Sequence, residues 1–369
     1  MRLAFYIVAT AVVLASRITA AEPVAKTRNV IVVTFDGFRW QEFFAGAEKG
    51  LIDRDAGGVR DLDGLGRRYL RGSPEESRET LLPFIWGTIA RQGQIFGDPT
   101  RKSSAVCTNG MKFSYPGYNE IFCGFADGRI DSNNKRDNPN LSVLEFLDGL
   151  PDFRGRVAAF CTWDVFPFIF RQSRNGLKVH AGWAPIVDEP LNDRQRMVNE
   201  LMGPLPRYWP DNVFDIVIWE AAREHLRRNR PRVLYLGLGE TDEWGHGRRY
   251  DLYLDAARNA DRFLETLWQM LQDLPEYRDT TSLVITTDHG RGATRVDWTD
   301  HGKDVTGAEH IWIAVMGPDT QPLGVRENVS VTQGQVAATI ARLLGEDFNA
   351  ASPRAAKPLP DVVRLPPAP

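Results

Sequence analysis

Aspartate and histidine residues gather in a few short motifs of the sequence. Four of the six histidines lie between residues 246 and 310, and three of these four stand in Asp-, His- and Gly-containing motifs. The candidate ligands are Asp36, Asp242, His246, Asp288, His289 and His301. Buried charged groups cost on the order of several kcal/mol unless they are paired or coordinated. Carboxylates and imidazoles at the ends of buried strands therefore point to bound cations.

The first candidate set comprises Asp36, Asp288 and His289. Asp36 directly follows one apolar run and precedes a glycine, and Asp288-His289 follows another such run. In open α/β sheets ligands bind at the carboxyl ends of the strands, so we expect these side chains to hold one cation. The alternatives are a turn-forming Asp-Gly at Asp36 and a structural ion pair between Asp288 and His289.

The second candidate set comprises Asp242, His246 and His301. Asp242 and His246 are expected to converge on one ion from a turn in which Gly245 lets the backbone fold back. His301 is the expected third ligand. Its rival, His310, directly precedes an apolar strand and is expected to serve packing or an edge contact. Carboxylate and neutral imidazole together suit zinc, with manganese and iron as alternatives. Two divalent ions about 4 Å apart can clamp the attacking and leaving oxygens of an in-line displacement.

Ser114 is the candidate nucleophile for such a displacement. It lies just before a Pro-Gly turn, and a helix is predicted to follow. A hydroxyl at a helix N-terminus lies near backbone N–H groups and the positive end of the helix dipole. Coordination to a cation would lower its pKa and favour the alkoxide. The alternative is that Ser114 only caps the helix.

The elements that must position these residues are predicted from apolar patterns. Five continuous, β-branched runs read as strands buried on both faces: residues 29–35, 156–161, 232–238, 282–287 and 311–316. A helical pattern spans residues 256–271. A second begins at a capping box of Thr332 and Gln335 and ends at Gly345. Strands alternating with helices predict a doubly wound α/β sheet flanked by helices.

The length, net charge and composition of the chain limit its possible domain organisation and partners. The chain has 369 residues and a formal net charge of -3, which gives no reason to expect a nucleic-acid partner. Residues 22–351 are predicted to form one hydrolase domain, in which residues 163–230 form a cap or insertion. Residues 352–369 form a proline-rich tail that is expected to be extended or disordered. The three cysteines read mostly as small buried apolar groups, with a Cys107–Cys123 bridge left open.

The N-terminus resembles a secretory signal. Met1-Arg2 precedes an apolar run that ends in small residues at Ala21, so residues 1–21 are predicted to be a cleaved signal peptide. The apolar run is shorter than the roughly 20 residues a membrane span needs, so we expect no membrane span after cleavage. An exported protein, periplasmic or secreted, follows from this interpretation, with an uncleaved anchor as the alternative.

The ordered set of motifs resembles the alkaline phosphatase superfamily, and most closely its nucleotide pyrophosphatase/phosphodiesterase branch. The resemblance rests on Asp36-Gly-Phe-Arg-Trp40, the Ser114 turn, Asp242–His246, Asp288-His289-Gly290 and His301-Gly302, in the family order. It implies an alkaline-phosphatase-like fold. It also implies one ion on Asp36, Ser114, Asp288 and His289, and a second ion on Asp242, His246 and His301.

The resemblance further implies a reaction. Ser114 would become phosphorylated, water would hydrolyse that intermediate, and Asn133 or Asn134 would contact phosphoryl oxygens. The expected substrate is a small phosphoric mono- or diester. Because residues 162–164 hold no Lys-x-Arg of the kind some monoesterases carry, diesters are slightly favoured. Lys112, Lys303, Arg171 and Arg174 are the candidate extra cations for a monoester.

Two other functions remain as alternatives. One is hydrolysis of sulfuric esters or phosphonates on the same scaffold, although Tyr118 stands where the sulfatase pattern has arginine. The other is a catalytically silent binding protein that kept the fold.

A phosphoglycerate mutase of this superfamily is not expected, because those enzymes carry a large extra domain and are cytoplasmic, whereas this chain is short and is predicted to be exported.

Overall fold

The computed structural model describes residues 25–188 and 190–363, and the predicted signal peptide lies outside these ranges. Within these ranges ten strands form two sheets: β1 Asn29–Phe35, β2 Gly93–Phe96, β3 Ser104–Val106, β4 Val157–Cys161, β5 Lys178–Ala181, β6 Val233–Leu238, β7 Thr281–Thr286, β8 Ile313–Met316, β9 Gly324–Val325 and β10 Ser330–Thr332. Eight of them form the central sheet in the order β5-β4-β6-β1-β7-β8-β2-β9, and β10 pairs with β3.

Fourteen α-helices lie around the sheets within the described ranges. They are α1 Trp40–Ala45, α2 Leu62–Tyr69, α3 Pro74–Leu81, α4 Ala90–Gln92, α5 Ser114–Cys123, α6 Val143–Gly149, α7 Phe166–Ile169, α8 Gln172–Asn175, α9 Asp193–Met202, α10 Asp215–Asn229, α11 Glu240–His246, α12 Tyr250–Asp273, α13 Gln335–Leu343 and α14 Phe348–Ala351. No helix in these ranges combines the length and apolar character required to traverse a bilayer.

The central sheet is parallel where the candidate site lies. The strands β5, β4, β6, β1 and β7 run parallel to one another, whereas β8 is antiparallel to both β7 and β2. Helices cover both faces, and successive residues of β1 enter two different cores: Ile31 and Val33 one, Val30 and Val32 the other. This burial on both faces explains the continuous apolar runs and confirms the doubly wound α/β prediction.

Several local predictions are corrected by the structure. The five predicted strands are present with ends shifted by up to two residues. The five short strands β2, β3, β5, β9 and β10 lack a long apolar run and were not predicted. The capping box at α13 is only half formed. Gln335 accepts a hydrogen bond from the Thr332 backbone N–H at 2.9 Å, but the N-cap is Gly334, which offers no side chain.

The cysteines and residues 352–363 pack into the protein, whereas the rest of the predicted tail, residues 364–369, lies outside the described ranges. Cys107, Cys123 and Cys161 are buried and unpaired, as expected for small apolar groups. Residues 352–363 follow α14 without helix or strand, and Leu359 and Val362 are buried in the core around β1 and α13. The predicted division into a catalytic domain, cap and tail stays a prediction.

Candidate active site

The carboxyl ends of three neighbouring parallel strands bring the candidate ligands together. Asp36 follows β1, Asp288 and His289 follow β7, and α11 with Asp242 and His246 follows β6. Because β6, β1 and β7 are adjacent and parallel, their last residues meet at one sheet edge. The site therefore lies at the edge predicted for it.

The first set, Asp36, Asp288 and His289, is buried. One ligand atom from each residue lies within 4.8 Å of the other two. The Nε2 atom of His289 is 3.5 Å from Asp36 Oδ1 and 3.4 Å from Asp288 Oδ2. The other ring nitrogen, Nδ1, lies 2.9 Å from the Gly290 carbonyl oxygen. If Nδ1 carries the proton, it donates to this carbonyl, and the Nε2 lone pair faces the two carboxylates.

The second set, Asp242, His246 and His301, meets the same distance criterion. The Nε2 atoms of His246 and His301 are 2.9 Å apart, and His246 Nε2 is 3.2 Å from Asp242 Oδ2. The His301 Nδ1 is 3.2 Å from the Lys112 carbonyl oxygen, which leaves Nε2 for the set. His310 lies outside both sets; its side chain is 49% exposed and contacts Glu309.

Asp242 and His246 approach each other from a helix, not from the predicted turn. They are four residues apart in α11, so both side chains project from one helix face. Gly245 serves packing in this helix. A Cβ atom at this position would lie 2.7 Å from the guanidinium carbon of Arg291, so only glycine lets that side chain pass.

Arg291 connects three parts of the site and is fully buried. Its Nε donates to the Gly37 carbonyl oxygen at 3.2 Å, and its Nη1 donates to the carbonyl of Thr299. Its Nη2 donates to the backbone oxygen of Asp242 at 2.7 Å and also to Asp242 Oδ1. One guanidinium thus links the loop after β1, helix α11 and the segment before His301. The sequence analysis missed this residue.

The glycine after Asp36 is required by close packing. Gly37 has a φ of 58°, and a Cβ atom there would lie 2.5 Å from Asp242 Oδ1. Its N–H donates to Asp288 Oδ1 at 3.0 Å. A side chain at this position would therefore be strained and would separate the two sets.

Ser114 lies at the first position of α5, at a helix N-terminus as expected, but the Pro116-Gly117 pair lies inside this helix and does not form the predicted turn. The Oγ of Ser114 is 3.4 Å from His289 Nε2. The N-cap is Phe113, so Ser114 does not have the capping role considered as the alternative. Tyr118, one turn later in the helix, donates a hydrogen bond to Asp36 Oδ2 at 2.7 Å. Helix α5 thus presents both a hydroxyl and a carboxylate-orienting phenol to the first set.

The electrostatics of the two sets favour a bound cation. Burial and the neighbouring carboxylates Asp288 and Asp242 raise the pKa of Asp36 well above its usual value. Burial also raises the pKa of Asp288. Burial alone would raise the pKa of Asp242, but Arg291 and the imidazole of His246 bring it well below its usual value. A divalent ion would relieve this repulsion between carboxylates.

The donor atoms also fit metal ions. Asp36 Oδ1 and Asp288 Oδ2 are buried oxygens that accept no hydrogen bond within the described residues. Burial, together with His289, lowers the pKa of His301 well below its usual value, so its imidazole is neutral and able to ligate. Orphaned carboxylate oxygens beside imidazole nitrogens form the kind of ligand set that a divalent cation would complete.

A cleft of about 400 Å³ opens from the two sets. It is lined by Asp36, Ser114, Asp242 and His246, and also by residues 133–135, Trp163, Val165, Asp211, Asn212, Gly239 and Glu243. Both Asn133 and Asn134 therefore reach the cleft. Asn133 Oδ1 accepts a hydrogen bond from the Tyr115 backbone N–H at 3.0 Å, which fixes it beside the N-terminus of α5.

The cations considered from sequence lie elsewhere. Lys112 forms an ion pair with Glu309 at 3.3 Å, and Arg174 forms one with Glu145. The cleft is lined by none of the four predicted cations, Lys112, Lys303, Arg171 and Arg174. The lysine that does line it is Lys135, which was not predicted and which pairs with Asp164 at 2.7 Å. The cleft therefore offers little free positive charge of its own.

Comparison with known families agrees with this geometry. The family model for type I phosphodiesterase / nucleotide pyrophosphatase matches residues 59–343, which is most of the chain. The chain belongs to this family. No curated protein matches the sequence. The matched segment contains Ser114 and the ligands from Asp242 to His301, whereas Asp36 precedes it.

Solved structures share the fold at low sequence identity. The lipoteichoic acid synthase LtaP from Listeria monocytogenes is 14% identical with a TM-score of 0.56, and the match covers 88% of this chain and 73% of that one. A putative sulfatase from Bacteroides thetaiotaomicron is 13% identical with a TM-score of 0.56, covering 90% and 73%. A variant of alkaline phosphatase PafA is 11% identical with a TM-score of 0.55, covering 93% and 100%. The fold is that of the alkaline phosphatase superfamily.

Proposed function

We propose that the protein hydrolyses phosphoric esters at this site, with Ser114 as the nucleophile and two divalent cations, most suitably zinc, as cofactors. The observation that carries the proposal is the placement of the Ser114 hydroxyl 3.4 Å from His289, within the first set. The second set adjoins it, since His289 Nε2 is 3.8 Å from Asp242 Oδ1. Membership of the phosphodiesterase family supports the same reaction.

The chain's own groups fit the steps of this reaction. Ser114 Oγ attacks phosphorus, the P–O bond to the alcohol breaks, and the alcohol leaves with a proton. Water then cleaves the phosphoserine, restoring the hydroxyl and releasing the phosphate product. Ions held by the two sets would lower the pKa of the hydroxyl and neutralise charge on the phosphoryl oxygens. Tyr118 keeps Asp36 oriented, because burial raises its phenol pKa well above the usual value and keeps it a donor.

Diesters are the proposed substrates in preference to monoesters. A monoester dianion carries one more negative charge than a diester and needs additional cationic groups. Lys135, the lysine of the cleft, is engaged by Asp164. Asn133, anchored at the N-terminus of α5, is the better placed of the two asparagines to contact a phosphoryl oxygen. An exported location, with residues 1–21 as the signal peptide, is part of the same proposal.

The test is a comparison of Ser114→Ala with Ser173→Ala, an exposed serine outside the cleft. Both zinc-loaded proteins are assayed on bis(p-nitrophenyl) phosphate, p-nitrophenyl phosphate and p-nitrophenyl sulfate. We expect the diester to be the fastest substrate, and we expect turnover to be lost in Ser114→Ala alone. Faster sulfate hydrolysis would overturn the phosphate assignment. Full activity of Ser114→Ala would overturn the nucleophile.

A further inference from the structure

A buried carboxylate outside both ligand sets holds the loop that precedes Ser114. Glu120 lies in the second turn of α5 and is fully buried. Its two oxygens accept hydrogen bonds of 2.7–3.1 Å from four neutral donors: the backbone N–H groups of Thr108 and Asn109, the Thr108 hydroxyl and the Asn109 side-chain amide. Glu120 neither belongs to a ligand set nor lines the cleft, so it takes no direct part in the proposed reaction.

The loop that Glu120 holds, residues 107–113, has an unusual backbone conformation at Lys112. The φ angle of Lys112 is 54°, in the left-handed region that residues other than glycine rarely adopt. Asn109 stabilises this conformation, because its Oδ1 accepts hydrogen bonds from the N–H groups of Met111 at 3.0 Å and of Lys112 at 2.8 Å. Such a conformation persists only where surrounding contacts hold it. By fixing Asn109, Glu120 therefore helps to hold Lys112 in place.

Lys112 connects this loop to the second ligand set. Its carbonyl oxygen lies 3.2 Å from His301 Nδ1, and its Nζ donates to the carbonyl oxygen of Val305 at 2.8 Å. Because a carbonyl oxygen can only accept, the first contact is a hydrogen bond only when Nδ1 carries the ring proton, and that tautomer leaves the Nε2 lone pair free. The Nε2 atom of His301 faces the second set, 2.9 Å from His246 Nε2 and 3.7 Å from Asp242 Oδ1. The place of one backbone carbonyl thus decides which nitrogen can bind a cation.

We propose that Glu120 is a positioning residue for the second cation site. Through Asn109 and Lys112 it places the carbonyl oxygen that selects the tautomer and orientation of His301. The inference rests on the proposed role of the second set in the reaction at Ser114. Groups that orient the ligands of a metal ion contribute about 10–100-fold to its affinity. Because Glu120 and Ser114 lie on one helix, the same contacts also fix the nucleophile relative to the second site.

The tautomer of His301 in the metal-free protein tests the proposal without zinc or turnover. Long-range proton–nitrogen NMR spectra at neutral pH distinguish an imidazole protonated at Nδ1 from one protonated at Nε2. We expect His301 to be protonated at Nδ1 in the wild type, and an Nε2-protonated fraction to appear in Glu120→Ala and in Asn109→Ala. Asn109 is only half-buried, so its variant serves even if Glu120→Ala does not fold. The same tautomer in all three proteins would overturn the proposal.

Asp261→Ala is the matched control for the loss of a buried carboxylate. Asp261 is also fully buried and accepts hydrogen bonds from two backbone N–H groups, those of Phe84 and Ile85 at 2.9 Å each, but it lies outside both ligand sets and the cleft. Both Glu120→Ala and Asp261→Ala should unfold at a lower denaturant concentration than the wild type. Only Glu120→Ala should change the His301 tautomer and weaken zinc binding. Equal changes of tautomer and zinc affinity in the two variants would reduce Glu120 to a purely structural role and refute the proposal.

Zinc titrations in two backgrounds assign the effect to the second site. In the wild-type background, Glu120→Ala should weaken the binding of one zinc ion by about 10–100-fold, and Glu120→Gln, which keeps one accepting oxygen, should lie between. In the His301→Ala background, which retains only the complete first set, Glu120→Ala should leave the Kd of the remaining ion unchanged. An equal loss of affinity in both backgrounds would contradict the proposal. If the zinc-loaded wild type hydrolyses no phosphoric ester, the proposed function fails, whereas the tautomer and the zinc titrations still decide the role of Glu120.

Discussion

Replacing Arg291 with methionine should destabilise the protein and weaken the second cation site. The fully buried guanidinium makes four hydrogen bonds, three to backbone oxygens and one to Asp242 Oδ1. Removing one partner of a buried ion pair typically costs about 3–5 kcal/mol, because the remaining charge has no partner. We therefore expect the free energy of unfolding of Arg291→Met to fall by about that amount in chelator.

A loss of ion affinity should accompany the loss of stability. Groups that orient metal ligands typically contribute about 10–100-fold to affinity, and Arg291 holds Asp242 against the loop of Gly37. The zinc dissociation constant can be measured by letting the protein compete with a zinc-binding indicator dye. The titration reports the more weakly bound of the two ions, whose affinity should fall in Arg291→Met. Arg291→Lys keeps the charge but loses the fork of donors, and it should lie between the wild type and Arg291→Met in both assays.

The matched control is Arg295→Met on the same loop. Arg295 is 56% exposed and lies 3.4 Å from Asp53, so its loss should change stability by about 0–1 kcal/mol. If Arg291→Met unfolds at the same denaturant concentration as Arg295→Met and binds zinc equally well, Arg291 is not the residue that organises the site.

Two further predictions concern the phenol at the first set and the pH dependence of stability. Tyr118→Phe removes the donor to Asp36, and kcat/KM should drop by about 10–100-fold; activity within twofold of wild type would contradict the orienting role. Burial lowers the pKa values of His180 and His225 to about 4 from 6.5, so the unfolded chain binds more protons between these values. Stability from these neutral imidazoles is therefore complete above pH 6.5 and declines as the pH falls toward 4. The free energy of unfolding, measured by denaturant titration at each pH, should fall less steeply with decreasing pH in His180→Gln than in the wild type. Equal slopes in the two proteins would exclude His180 as a cause of the pH dependence.

The sheet and the ligand motifs could be predicted because they depend on local patterns. Continuous apolar runs are long where a strand is buried on both faces, and polar residues such as Asp36 and Asp288 directly follow them. In a parallel sheet those positions share one edge whatever the intervening chain does. The preference for His301 over His310 also followed from position, since His310 directly precedes the run that contains β8.

The residues that sequence analysis missed depend on tertiary packing. In the sequence, Arg291 looks like an ordinary charged residue of a solvent-exposed loop. It is buried because the loop after β1, helix α11 and the segment before His301 pack around it. The helix α11 was taken for a turn because Gly245 is a poor helix former; its small size is needed for the passage of Arg291. Lys135 was missed because its place on the cleft depends on the path of residues 133–135 past α5.

The central claim is that the two ligand sets bind one cation each. Its most direct test is the zinc content of the purified, zinc-equilibrated protein, measured by inductively coupled plasma mass spectrometry. The wild type should hold two ions per chain, His301→Ala one, and His310→Ala two, because His301 alone of these two histidines belongs to a ligand set. Fewer than two ions in the wild type, or two ions retained in His301→Ala, would contradict the assignment of two cation sites to these six residues.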